Sequence, residues 1–94
     1  MMKPHVKNIM SHFGLGEQDV PVCEGCGQVA AVDAHHCTFR SEGGSDEPDN
    51  IVLLCRRCHE KAHSNIVFSN SLKGFAMMVD WRKEEMNRRM YGEG

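Results

Sequence analysis

The sequence predicts a small α+β domain in which a strand, a loop, a second strand and a helix are stapled by a four-cysteine metal site, with one further helix at each end. Three observations predict it. Two Cys-x-x-Cys pairs, Cys23/Cys26 and Cys55/Cys58, bracket the central segment. Between them, QVAAVDAH (28–35) and IVLL (51–54) are stretches suited to strands, separated by a turn-rich loop. Beyond the second pair, His59 and His63 stand four apart, the spacing that puts two side chains on one face of a helix. At 94 residues the chain makes one domain, 1–94, with its motif core at 23–64. A core that small is commonly reinforced by a structural metal.

Residues 3–13 read as a helix. Pro4 suits its first turn, Val6, Ile9, Met10 and Phe13 recur at helical spacing, and Gly14 can end it. This helix is assigned to packing, and its histidines, His5 and His12, are read as surface residues. A linker over 14–22 is stiffened by Pro21. Residues 23–27 have the form of a zinc knuckle, whose glycines let backbone amides point at thiolates. Residues 38–49 form a loop marked by Gly43-Gly44, Pro48 and four acids (Glu42, Asp46, Glu47, Asp49). The run 51–54 is expected to be a buried strand. One long helix is expected over about 72–90, with Ser71 as its N-cap. Its apolar stripe (Leu72, Phe75, Met78 or Val79, Met86, Met90) is interrupted by Arg82, and Trp81 and the methionines serve a core or a lid.

A net charge of −2 argues against a protein that coats nucleic acid by bulk electrostatics. The basic residues are clustered all the same. Arg40, Arg56, Arg57 and Lys61 crowd the metal segment, and Arg82, Lys83, Arg88 and Arg89 crowd the C-terminus, as solvated helix faces or as phosphate contacts. The opening MMKPHVKNIM has no apolar core of signal-peptide length, and no segment is long enough to span a membrane, so a cytoplasmic location is expected. In that compartment paired Cys-x-x-Cys motifs bind metal rather than form disulfides.

The pattern C-x2-C-x28-C-x2-C suits zinc, which takes four ligands in a tetrahedron and accepts two thiolates from each tight turn. Cys23, Cys26, Cys55 and Cys58 would close that site and leave no open position, which makes it structural. The odd Cys37 reads as a small buried apolar side chain. His59 and His63 can grip a second cation. His35 and His36 are adjacent on a strand and point to opposite sides, so only one of them joins that ion. The other is left nearby, neutral at pH 7 and able to accept a proton.

The run VDAHHCTFRSEGGSDEPDNIVLLCRRCHEKAH resembles the HNH endonuclease family, in the branch stapled by a four-cysteine zinc. His36, Asn50 and His59 match the family's three letters in order, and with the first knuckle the resemblance covers 23–63. It implies a ββα-metal fold, hydrolysis of phosphodiester bonds in DNA, and one catalytic divalent cation, Mg2+ first, with Mn2+, Ni2+ or Zn2+ as alternatives. Carried over by position, His36 is the general base and Asn50 holds it across the loop. His35, His59 and His63 hold the cation, and Arg40, Arg56, Arg57 or Lys61 would hold flanking phosphates. HEKAH (59–63) also spells the metalloprotease signature H-E-x-x-H with Glu60 as base. That reading needs a third ligand from the downstream acids Asp80, Glu84, Glu85 or Glu93, and it leaves the cysteines, His36 and Asn50 unexplained. The rival to a nuclease is a catalytically silent, zinc-stabilised nucleic-acid-binding or adaptor module of a phage or mobile-element complex. A third reading has the C-terminal helix dock on a larger protein.

Overall fold

Four consecutive apolar residues, Ile51–Leu54, form strand β2, and all four are buried. A computed structural model describes residues 3–92 of the chain, so Glu93 lies outside the described residues. Strand β1, Asp33–His36, pairs antiparallel with β2, placing Asp33 opposite Leu54 and His36 opposite Ile51. Because successive strand side chains face opposite ways, this hairpin divides the core in two. Ile51 and Leu53 pack with Ile9, Met10, Phe13 and Met86 from the two terminal helices. Val52 and Leu54 pack on the other face with Cys23, Cys55, Cys58, Ala62 and Leu72.

Helix α1, Pro4–His12, carries Pro4 in its first turn, where the missing N–H costs nothing. Helix α2, Arg56–Ser64, follows β2 directly, capped by the Cys55 sulfur, which accepts the Cys58 N–H at 3.5 Å. The order β1–β2–α2 is the expected strand, strand and helix of a ββα unit, in an α+β chain.

Two elements differ from the sequence expectation. The strand expected over 28–35 is confined to Asp33–His36. Residues 29–31 turn back on 21–23 instead: the Cys23 N–H bonds to the Val29 carbonyl and the Ala31 N–H to the Pro21 carbonyl, both at 2.8 Å. Those bonds close the first knuckle, which a run of small, β-compatible residues does not reveal. The long helix expected over 72–90 is two helices, α3 (Ile66–Ala76) and α4 (Val79–Tyr91). Asn65, not Ser71, caps α3, its side-chain oxygen accepting the Phe68 N–H at 3.0 Å.

The break between α3 and α4 lets Arg82 turn inward. Read from sequence as an interruption of the apolar stripe, it is 1% exposed and forms an ion pair with Glu24, itself 8% exposed. Its Nε and Nη2 donate to the two carboxylate oxygens of Glu24 at 2.7 and 2.8 Å. Nη1 donates to the carbonyls of Ala76 and Pro48, and Nη2 also donates to that of Ile51. All five guanidinium N–H groups are thereby used. Glu24 in turn accepts the Leu53 N–H at 2.9 Å, so one buried pair ties the first knuckle, β2, the loop before it, α3 and α4 together.

Candidate active site

The sulfurs of Cys23, Cys26, Cys55 and Cys58 all lie within 4.8 Å of one another. Backbone amides point at them as expected of knuckles, with Gly25 N–H at 3.3 Å and Cys26 N–H at 3.5 Å from the Cys23 sulfur. At Gly25 a Cβ would meet the Cys58 sulfur at 3.1 Å, so a side chain there would crowd the sulfurs. Burial, with the neighbouring Cys55 and Cys23 sulfurs, pushes the Cys58 thiol well up. Four crowded sulfurs can ionise together only around a cation, and the all-thiolate set fits tetrahedral zinc. Cys37 stands apart from this group, buried as expected, with its Sγ donating to the Leu72 carbonyl at 3.5 Å. Burial holds its thiol up at about 11.

The hairpin register sorts the histidines. His35 lies opposite Val52, on the face that packs against α2. There it meets His59 and His63, with ring centroids 5.2 and 5.5 Å away, and the Nε2 atoms of His59 and His63 are 3.2 Å apart. Ligand nitrogens of all three rings lie within 4.8 Å of one another. His35 is 2% exposed, and its Nε2 has no hydrogen-bond partner among the described residues. An orphaned buried nitrogen aimed at two imidazoles is what a cation ligand looks like without its cation. Burial, followed by the charges of His59 and His63, lowers the His35 pKa to about 4, so it stays neutral and able to coordinate at pH 7. Asp33, on the same side of β1, lies 3.1 Å from Nδ1 of His59 and 2.9 Å from Arg56. A carboxylate behind a ligand imidazole fixes its tautomer. The sequence marked Asp33 only as a strand residue, although it stands two before His35 and so shares its face.

His36 faces the other way, toward α1. Its Nε2 lies 2.8 Å from Oδ1 of Asp46. Asp46 is gripped at the same time by Arg40, whose Nε and Nη2 donate to its two oxygens at 2.9 Å each. Those bonds, Arg40 first and then His36, hold the Asp46 carboxyl down at about 2. Arg40, expected to hold a flanking phosphate, is thus committed to Asp46, and Arg56 is committed to Asp33. Arg57 and Lys61 remain exposed on α2, with Lys61 lying over the Phe68 ring.

Asn50 does hydrogen-bond across the loop. Its amide donates to the carbonyls of Thr38 (2.9 Å) and Ser45 (2.8 Å), and its oxygen accepts the Thr38 N–H at 2.8 Å. Among the described residues its side chain makes no hydrogen bond to His36; it closes the loop that carries Asp46. The closure is tight at Gly44, where a Cβ would fall 1.8 Å from the Thr38 carbonyl oxygen. Gly44→Ala is therefore expected to push the loop open and part Asp46 from His36. A displacement of that size at a catalytic group costs roughly 100-fold in rate. Nicking assays alongside the melting temperature check this; unchanged activity would show that the loop does not position the site.

The residues therefore separate into a closed four-sulfur site, a three-imidazole site and a histidine–carboxylate pair, in the order His36, Asn50, His59 along the chain. The family model described as HNH endonuclease matches residues 23–65. This segment belongs to the HNH endonuclease family. The chain is also 32% identical over 72 residues to the type IV methyl-directed restriction enzyme EcoKMcrA of Escherichia coli (strain K12), a match covering 67% of this chain. The chain spans about a quarter (26%) of the length of that relative. No solved structure matches it. The HNH segment holds both metal-ligand sets, while α1, α3 and α4 lie outside it. Among the described residues the H-E-x-x-H reading finds no downstream acid in the three-imidazole group, whose third member is His35 from β1. No helix among the described residues is long and apolar enough to cross a membrane.

Proposed function

We propose that this chain is a metal-dependent DNA endonuclease that hydrolyses phosphodiester bonds with His36 as general base. The observation that carries this reading is the pairing of His36 with Asp46 beside three converged imidazoles. An ionised carboxylate only accepts hydrogen bonds, so Asp46 fixes the proton on Nε2 of His36. Nδ1 then carries the lone pair, and no described residue bonds to it. That nitrogen takes the proton of an attacking water, and the resulting imidazolium is stabilised by Asp46. Asn50 keeps the loop closed and Asp46 in place. His35, His59 and His63 would hold a divalent cation, which would supply charge stabilisation to the phosphate. Imidazole donors suit Ni2+ or Zn2+ better than Mg2+, which the family resemblance put first. The zinc of the four cysteines is structural. Arg57 and Lys61 are the phosphate contacts, positioning the backbone without reading bases. Similarity to a methyl-directed restriction enzyme supports taking DNA as the substrate.

The test is plasmid nicking across a panel of divalent cations, with chelator controls. His36→Ala is expected to lose roughly 100- to 10,000-fold in rate, the usual contribution of a general base, while retaining its metals and its fold. Full activity in His36→Ala would remove it from the mechanism. DNA binding with no cleavage under any cation would favour the silent adaptor module instead.

A further inference from the structure

The imidazole of His5 comes from α1, outside the HNH segment, and neither the packing role of that helix nor the proposed reaction uses it. Its ring centroid is 4.7 Å from that of His36, tilted by 51°. One ligand atom each from His5, His36 and Asp46 lie within 4.8 Å of one another, a third metal-ligand group separate from the cysteines and from His35, His59 and His63. The three come from α1, β1 and the acidic loop, and Asn8 of α1 holds the loop by donating to the Asp46 carbonyl at 3.0 Å. The cluster already holds a cation of sorts. The Arg40 guanidinium sits 2.9 Å from Asp46 and 3.4 Å from Nδ1 of His5. Arg40 is more than half exposed and attached only at this end, so it can swing out.

We propose that His5, His36 and Asp46 form an inhibitory site for a borderline divalent cation such as Zn2+, which displaces Arg40 and switches off the general base. Two imidazoles and a carboxylate are a donor set suited to zinc, and the remaining tetrahedral position is open to water. The switch works through the tautomer. In the metal-free site Nε2 of His36 carries the ring proton and Nδ1 the lone pair. A cation on Nε2 takes that nitrogen's lone pair, and the single ring proton moves through solvent to Nδ1. The ring stays neutral and nothing is oxidised, but the nitrogen that faced the water becomes a donor and can no longer accept a proton. The site itself depends only on the geometry; its effect on cleavage rests on the nuclease reading.

The experiment is a zinc titration of the full chain followed by long-range proton–nitrogen spectra of the histidine rings. Three ligand groups predict three zinc equivalents. The last and weakest is expected to move the ring nitrogens of His5 and His36 while leaving those of His35, His59 and His63 in place. Alongside it, nicking is measured against rising zinc. Inhibition in His5→Ala is expected to need roughly 10- to 100-fold more zinc than in the native chain, with cleavage at low zinc unchanged. Ring signals of His5 and His36 that ignore zinc overturn the site, and need no variant to be informative. Equal zinc inhibition in the native chain and in His5→Ala overturns it as well, placing inhibition at the other histidines. A chain that shows the ring response but never nicks DNA refutes the nuclease reading and supports the site.

Discussion

Arg82→Ala is expected to lower the unfolding free energy by about 3–5 kcal/mol, measured by urea denaturation of the zinc-loaded protein. The size follows from what remains behind. Removing the guanidinium leaves Glu24, 8% exposed, as an unpaired buried carboxylate, and strips partners from the carbonyls of Pro48, Ala76 and Ile51. The rings of Phe13 and Phe75, whose centroids lie 5.5 and 5.4 Å from the guanidinium carbon, lose their cation too. A loss of this size is a large part of the stability of a small domain, typically about 5–15 kcal/mol. Breaking the pair and replacing it are different experiments. Glu24→Leu with Arg82→Met removes both charges together and is expected to cost far less than Arg82→Ala alone, because no uncompensated charge stays buried. A loss below about 1 kcal/mol in Arg82→Ala would mean that water reaches the pair. Since Arg82 also grips the Pro48 and Ile51 carbonyls on either side of Asn50, the single variant is expected to loosen the loop that carries Asp46 before the core melts.

Glu24 and Arg82 show what a one-dimensional reading misses. They are 58 positions apart, and each alone has the signature of a surface charge, so only the fold reveals that they meet. Asp46 is similar: four acids in one loop are equivalent on paper, and geometry selects the one that reaches His36. His5 reads as a surface residue because a lone histidine on a short amphipathic helix carries no signal. The features that were legible have chemistry that spacing alone dictates. Paired cysteines at i and i+3 can only be brought together by tight turns. His59 and His63 share a helical face by period, and the run Ile51–Leu54 is apolar throughout because it is covered on both sides. The start of α3 is legible in Asn65, a good N-cap, whereas Met77 and Met78 carry no signal of the break between α3 and α4.

Stripping the structural metal is expected to unfold the chain outright. Zinc held by four thiolates contributes roughly 10 kcal/mol or more to folding, comparable with the whole stability of a domain this size. The cysteines are not an appendage here: Cys23, Cys55 and Cys58 are packed in the core with Val52, Leu54, Ala62 and Leu72. Without the cation, burial together with the neighbouring sulfurs disfavours ionisation of Cys58. The Cys55 sulfur also caps α2, so loss of the staple frees the first turn of the helix that carries His59 and His63. Two stages are expected under a strong chelator. Cleavage is lost first, as the exchangeable cation leaves the three imidazoles with far-UV circular dichroism unchanged. Helical signal collapses later, as the thiolate-bound zinc leaves. Metal analysis at each stage assigns the ions. A zinc-free protein that kept its helical signal and a cooperative thermal transition would show that the hairpin and its two flanking cores fold without the staple. The cysteines would then be packing residues first and ligands second.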